Sequence, residues 1–335
     1  MIVTTYHTHS DLCDGKGKLE EYVESAARKG FAAFGFSGHS PLPVPDDWTL
    51  QTEDIPGYIE SGRELKRQAA SAMGPRQAGS PAVGSLAGSV AGPVEGDPPL
   101  ELYVGMEVDY LEEGPKAPGN PSDGPALAPD LPNILELDLD YIIGSVHTVA
   151  RFPDGSYPGV DGPKDMYQRI FEELFDSDMQ ALVREYYRLV RRMITDHRFD
   201  ILGHIDLVKL RNPKEEYYRE SDRWYRREVL TTLDALEANG AIMEINTGGL
   251  ARGKCHDMYP SEWIVAEARK RDIPLQINSD AHHPEGIDSY YGAAAERARR
   301  AGYTVQRVLL GGERRDVPLD IPADLGMPVP GSSGR

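Results

Sequence analysis

Short apolar runs recur along this chain, most of them followed by a helical pattern, and most of the runs end in histidine or an acid. That alternation is the strongest constraint on how it can fold. Residues 1–6 lead into His7-Thr8-His9, residues 31–37 into Gly38-His39, and residues 139–146 into His147. Residues 200–203 end at His204, and residues 273–279 end at Asp280-Ala281-His282. Two more runs, 101–109 and 241–247, carry Glu107 and Glu244, and a last one covers 303–310. Between them, apolar residues return at helical spacing: Leu19, Tyr22, Val23 and Ala26 before Gly30, then 53–73, 162–199, 222–239 before Gly240, 261–272 and 289–301. Strand alternating with helix predicts parallel βαβ units, which either close into a barrel or wind into an open sheet.

In both arrangements functional groups collect at the C-terminal ends of the strands. His7, His9, His39, Glu107, His147, His204, Asp280 and His282 all stand at or near such ends, and six of the nine histidines are in that set. Residues two apart on a strand share a face, so His7 and His9 can grip one ion. Taken alone, that pair is as compatible with a hydrogen-bonded surface pair. Its repetition at the other strand ends predicts a metal centre instead.

The 54 acidic residues against 36 basic ones give a formal charge of −18, which repels polyanions. No nucleic-acid partner is expected. Cys13 and Cys255 cannot build a disulfide framework, no signal-peptide pattern is present, and no apolar run reaches membrane-spanning length. The expectation is a cytoplasmic protein without a membrane partner; oligomeric state is not legible. Segments 74–99 and 114–132 are dominated by Gly, Ala, Ser and Pro and read as flexible insertions within one domain spanning 1–318, followed by a tail over 319–335.

The order His7-Thr8-His9, the loop ending at Asp14, Gly38-His39, Gly105-Met106-Glu107, Ser145-Val146-His147, Gly203-His204-Ile205-Asp206 and Ser279-Asp280-Ala281-His282 resembles the PHP (polymerase and histidinol phosphatase) superfamily of metal-dependent phosphoesterases. The resemblance implies an α/β fold, a distorted (β/α)7 barrel with three divalent metal ions at its C-terminal mouth. Carried over by motif, His7, His9, Glu107 and Asp280 would hold the first ion. Glu107, His147 and His204 would hold the second, with Glu107 bridging, and Asp14, His39 and His282 the third. Asp11 is the alternative to Asp14. Mixed nitrogen and oxygen donors suit zinc, iron or manganese alike.

Within the superfamily the chain looks like the histidinol-phosphate phosphatase branch. The residues that suggest it are His7-Thr8-His9-Ser10 with Cys13, the run from Gly203 to Lys209, and Asn246-Thr247-Gly248-Gly249-Leu250-Ala251-Arg252 followed by Tyr259-Pro260-Ser261. The implied activity is hydrolysis of L-histidinol phosphate, a small phosphate ester of histidine biosynthesis, with Asp280, His282 and Glu107 at the catalytic centre and hydroxide generated between two ions.

Arg252 is the candidate phosphate clamp, because a guanidinium pairs bidentately with phosphate, and Lys209 and Arg211 are further candidates. His256 is a candidate acid or substrate contact. Asp206 and Glu244 are candidates to orient metal-bound imidazoles. For each the bland alternative is a solvated charge or a strand-end hydrogen bond. One rival function is a PHP phosphoesterase acting on nucleotides or nucleic-acid ends, which would want a basic groove with stacking aromatics. The other is a metal-bound regulatory module without turnover, which a missing ligand would favour; every motif position holds a competent group.

Overall fold

The computed structural model describes residues 1–44, 46–71, 100–111 and 134–327. The two expected insertions and the end of the expected tail lie outside the described residues. Seven strands, β1 (Thr4–Thr5), β2 (Ala33–Phe36), β3 (Glu101–Asp109), β4 (Tyr141–Ser145), β5 (Ile201–Leu202), β6 (Ile242–Asn246) and β7 (Leu275–Asn278), lie side by side in chain order, each parallel to the next. The ends of this sheet meet. Thr8 bridges Ala281, the His9 amide donates to the Ala281 carbonyl at 2.9 Å, and the Tyr6 amide donates to Asn278 Oδ1 at 3.0 Å. A closed barrel, not an open sheet, is the result, and every strand's C-terminal end opens on one mouth.

Helices α1 (Leu19–Arg28), α2 (Ile55–Ser71), α3 (Lys164–Arg169), α4 (Met179–Asp196), α5 (Arg223–Asn239), α6 (Gly248–Ala251), α7 (Glu262–Lys270) and α8 (Tyr291–Arg300) connect the strands. Helix α5 follows Asp222 and ends at Gly240 in the left-handed conformation, as its sequence predicts. The stretch expected to be helical throughout 162–199 is broken. After α3 a π-helical turn covers Ile170–Leu174, and Asp176 and Ser177 then take positive φ of 49° and 61°. Two such residues end a right-handed helix, and Asp178 restarts it by accepting the Ala181 amide at 3.0 Å. In α4 the expected stripe from Met179 to Ile194 is buried. Among the described residues no helix is long and apolar enough to cross a membrane.

The last apolar run does not join the barrel. As β8 (Val305–Leu310) it pairs antiparallel with β9 (Glu313–Pro318) through Gly311-Gly312, whose φ of 63° and 73° make the tight turn that suits the twist of a hairpin. This hairpin lies across the N-terminal end of the barrel. Tyr6 Oη donates to the Leu309 carbonyl at 2.5 Å, the Gly312 amide donates to Tyr103 Oη at 3.2 Å, and Arg314 pairs with Asp200. The described part of the expected tail is packed, not free: Leu319 and Ile321 are buried, and the Gly292 and Tyr290 amides donate to the Leu325 and Gly326 carbonyls at 2.8 Å.

Alternation along the strands sends one set of side chains outward to the helices and the other into the barrel. Outward-facing Phe34, Phe36, Val104, Met106, Ile245 and Ile277 belong to the main core. Inside, an apolar floor of Tyr6, Tyr103, Tyr141, Ile143, Ile201 and Ile242 meets the hairpin at Val308 and Val317. Tyr141 crosses this interior, with its hydroxyl 2.6 Å from the carbonyl oxygens of Tyr6 and Phe36. Gly35 and Gly105 make room for it, since a Cβ on either would press into the Tyr141 ring. Above that floor the interior turns polar.

Candidate metal centre

On β3 the two-residue period puts Gly105, Glu107 and Asp109 on the interior face, one above the other. Glu107 is fully buried and becomes the hub. Its Oε2 lies 3.0 Å from His7 Nε2, 3.4 Å from His9 Nε2 and 3.1 Å from His39 Nδ1. Its Oε1 lies 3.0 Å from His204 Nε2 and 3.7 Å from His147 Nε2, and accepts the Ser145 hydroxyl at 2.6 Å. Asp280 Oδ1 is 3.3 Å from His9 Nε2, 3.9 Å from His7 Nε2 and 3.5 Å from His282 Nδ1. Asp14 closes the outer edge, 3.0 Å from His282 Nε2, 3.6 Å from His39 Nε2 and 3.9 Å from His9 Nδ1. All nine residues expected to ligate metal come together, and of the two loop acids it is Asp14 that stands in the cluster.

The donor chemistry fits divalent ions. His7 Nε2, His9 Nε2, His39 Nδ1 and Glu107 Oε2 are buried and make no hydrogen bond, although each lies within 3.5 Å of an opposing nitrogen or oxygen. Burying such atoms unpaired is costly, and a cation among them removes the cost. Four groups have donor atoms all within 4.8 Å of one another: His7-His9-Glu107, His7-His204-Asp280, His39-Glu107-His147 and His9-Asp14-His39-His282. His7, His9, His39 and Glu107 each belong to two groups, so the donors form a continuous ring around the hub.

Partners behind the imidazoles fix which nitrogen faces inward. His7 Nδ1 lies 3.1 Å from both Glu244 oxygens, and Glu244 Oε1 also accepts the His204 amide at 2.9 Å, as its place in the sequence suggests. His147 Nδ1 and its amide are 2.8 and 3.0 Å from Asp109 Oδ1. The sequence reading passed over Asp109, although its position two residues beyond Glu107 was the available signal. Asp206 plays a different part from the one expected: it accepts the Ser261 amide at 2.9 Å and pairs with Lys209 at 3.1 Å, with no imidazole.

Charge within the cluster is strongly coupled. Burial opposes ionisation of Glu107, but His7, His39 and His147 hold it well below the ordinary carboxylate range. Asp280 is likewise held low against burial by Arg252 and His7. Burial alone would pull His9 and His147 down. For His9, the hydrogen bonds to Asp280 and Cys13 push it up to about 10; for His147, Asp109 and Glu107 do the same, also to about 10. His39 and His282 go the other way, lowered by burial and then by the charge on His9.

Of the expected substrate contacts, Arg252 alone reaches the cluster. It follows α6, with Nη2 3.1 Å from Asp280 Oδ2 and Nη1 2.6 Å from His282 Nε2. Gly248 permits this approach, because a Cβ there would lie 2.8 Å from Asp280 atoms. Lys209 is buried, and its ammonium donates to the Met258 carbonyl at 2.6 Å, Ser261 Oγ at 2.9 Å and Asp257 Oδ2 at 3.4 Å, with the Asp206 carboxylate paired at 3.1 Å. Arg211 donates to the Val160 and Gly162 carbonyls. Both side chains brace loops, which leaves their donors engaged away from any phosphate. His256 is exposed and makes no contact with the cluster. Two neighbours that the sequence reading missed flank His147. Trp48 packs edge-on against His39 and His147, with ring centroids 4.8 and 5.7 Å away. Asp161 comes from the loop after β4 and counts His147, Lys254, Arg252 and His204 among its charged neighbours.

A family model described as the PHP domain matches residues 5–248, most of the chain and six of the seven strand ends, those of β1 to β6. The chain belongs to the PHP domain family. Among curated relatives of this PHP chain, a Deinococcus radiodurans protein named "Probable histidinol-phosphatase" is 26% identical over 300 residues, covering 88% of this chain and 92% of that protein. The "Histidinol-phosphatase" of Bacillus subtilis is 28% identical over 306 residues, covering 87% and 97%. A crystal structure of histidinol phosphate phosphatase from Lactococcus lactis, with zinc, L-histidinol and phosphate bound, superposes with a TM-score of 0.61 at 17% identity, covering 93% of this chain and 98% of that one. That last likeness bears on the fold, a PHP-type (β/α)7 barrel.

Proposed function

We propose that the chain is a metal-dependent phosphomonoesterase that hydrolyses L-histidinol phosphate to L-histidinol and phosphate. The observation that carries this reading is the ring of buried, unpaired donors around Glu107 with Arg252 at its rim. The named activity of relatives aligned over most of their length supports the choice of ester. His7, His9, Asp14, His39, Glu107, His147, His204, Asp280 and His282 would hold up to three divalent ions, with zinc, iron and manganese all compatible with the donors. Bound there, such ions neutralise phosphoryl oxygens and acidify water for in-line attack.

The chain's own residues supply the rest. Glu107 and Asp280, kept ionised, balance the cationic charge. Asp280 also steers Arg252, whose guanidinium can pair with two phosphoryl oxygens and hold the ester in line. His282, whose pKa burial and the charge on His9 lower, stands at the rim between Asp14 and Arg252, where its imidazole would meet an ion. Phosphate release from L-histidinol phosphate, a dinucleotide and an aryl phosphate, measured on the same purified protein, tests the reading. The first should be turned over far faster than the others. Activity confined to the dinucleotide would overturn it in favour of a nucleotide phosphoesterase.

A further inference from the structure

The loop after β4 carries a carboxylate that the chemistry at the ion cluster leaves unused. Residues 159–162 form a tight turn in which the Gly162 amide donates to the Gly159 carbonyl at 3.1 Å, and the preceding strand end holds it, since the Val160 amide donates to the His147 carbonyl at 2.8 Å. Arg211 braces the turn on both sides of Asp161 by donating to the Val160 and Gly162 carbonyls. The Asp161 carboxylate folds over Gly159, where a Cβ would lie 3.0 Å from its Oδ1. Its backbone is therefore braced on both sides.

Yet that carboxylate accepts no hydrogen bond among the described residues. Its one ion pair is with Lys254, at 3.8 Å, and Lys254 is 42% exposed while the Asp161 side chain is 25% exposed. Glu244, by comparison, has partners on both oxygens, from the His7 ring, the His204 amide, Asn246 and Asn278. Asp161 instead stands partly open to solvent, beside His147 and within the fields of His204 and Arg252. Lys254, its ion-pair partner, stands two residues after Arg252, the candidate phosphate contact.

We infer that Asp161 is a specificity-determining residue whose carboxylate receives a cationic ammonium carried by the alcohol part of the ester, close to the scissile bond. The assignment rests on the phosphomonoesterase reading above and deepens it. Lys254, in this view, is the exchangeable counter-ion that the substrate cation displaces. The class of substrate selected is the phosphate ester of a 2-amino alcohol, as against esters of neutral alcohols of similar size.

The test uses the ion-loaded full chain and two esters, L-histidinol phosphate and the uncharged-alcohol ester glycerol phosphate. Asp161→Asn keeps the shape of the side chain and removes its charge. KM for the cationic ester should rise by ~10-fold or more, the loss that goes with one charge-assisted hydrogen bond, while kcat/KM for glycerol phosphate stays within about two-fold. Lys254→Met should leave the preference for the cationic ester intact or enlarge it. Equal losses on both esters in Asp161→Asn, or the same loss in both variants, would make Asp161 a structural partner of Lys254 and overturn the assignment alone. A wild-type chain that cleaves glycerol phosphate as well as it cleaves L-histidinol phosphate would overturn the choice of substrate and this assignment together.

Discussion

At the scale of single residues, the set of clustered donors was legible because metal chemistry restricts candidate ligands to few residue types and the strand period restricts where they stand. Every one of the nine residues named from sequence reached the cluster, including Asp14 from a loop. Basic residues were harder to read. Lys209, Arg211 and Arg252 look alike in sequence, but two of them are spent on carbonyls and one faces the site; only packing tells a brace from a clamp. Removing a ligand should act through the ions. His147→Ala and Asp280→Asn are each expected to lower turnover by at least about 100-fold, the upper end of what loss of an outer metal partner costs, and to lower the metal content seen by elemental analysis while the circular dichroism stays native. Protons compete for the same nitrogens. In the ion-free chain His9 and His147 hold theirs up to about pH 10, against about 6.5 for an unfolded imidazole. Folding stability from these two groups is thus fully present below pH 6.5 and is lost as pH rises towards 10. Ion binding runs in the opposite sense, since each bound ring must give up its proton, and affinity should rise about tenfold per released proton per pH unit over that window. Titration calorimetry in buffers of different ionisation enthalpy measures the protons released.

Among the elements, α5 and β3 follow their sequence patterns closely, because a left-handed glycine stop or a long unbroken period leaves little choice. Strands β1 and β5 are only two residues long, although their apolar runs are longer. In β5 the chain leaves the ladder so that the His204 amide can meet Glu244, a long-range demand that no local window contains. The break between α3 and α4 was hidden for a similar reason, as the apolar spacing continues across it while Asp176 and Ser177 do not stay helical. Interior packing of the barrel was not legible at all: that Gly35 and Gly105 serve Tyr141 emerges only when three strands are side by side. Gly105→Ala tests that packing. Its Cβ would fall 2.4 to 2.6 Å from Tyr141 ring carbons, and overpacking of this kind should cost about 1–3 kcal/mol, read as a lower midpoint in urea. Because Gly105 sits two residues below Glu107 on the same face, some loss of metal content should accompany it.

On the scale of the whole molecule, the barrel's two ends do different work. The described residues after the hairpin β8–β9 reach the start of α8, where the Tyr290 and Gly292 amides donate to the Gly326 and Leu325 carbonyls, and the hairpin itself packs at the end away from the candidate metal centre. Val308→Ala, in the fully buried centre of that contact, should lower stability by about 1–3 kcal/mol and leave kcat and KM for the ester unchanged below the new melting point. A change in either kinetic constant would mean that the two ends are coupled through the barrel.

The Tyr141 cross-piece, with the apolar floor around it, makes the barrel a cup and not a tube. Traffic in a cup is shared: substrate, water, ions and both products pass the same rim, so whatever lingers there blocks everything beneath it. Phosphate is the product that binds most directly over the ions, and it should act as a stopper as well as a competitor. A chelator should therefore strip metal from the chain more slowly when inorganic phosphate is present, in proportion to the fraction of sites that phosphate fills. Stripping at an unchanged rate under saturating phosphate would mean that the ions have a second way out, past the floor.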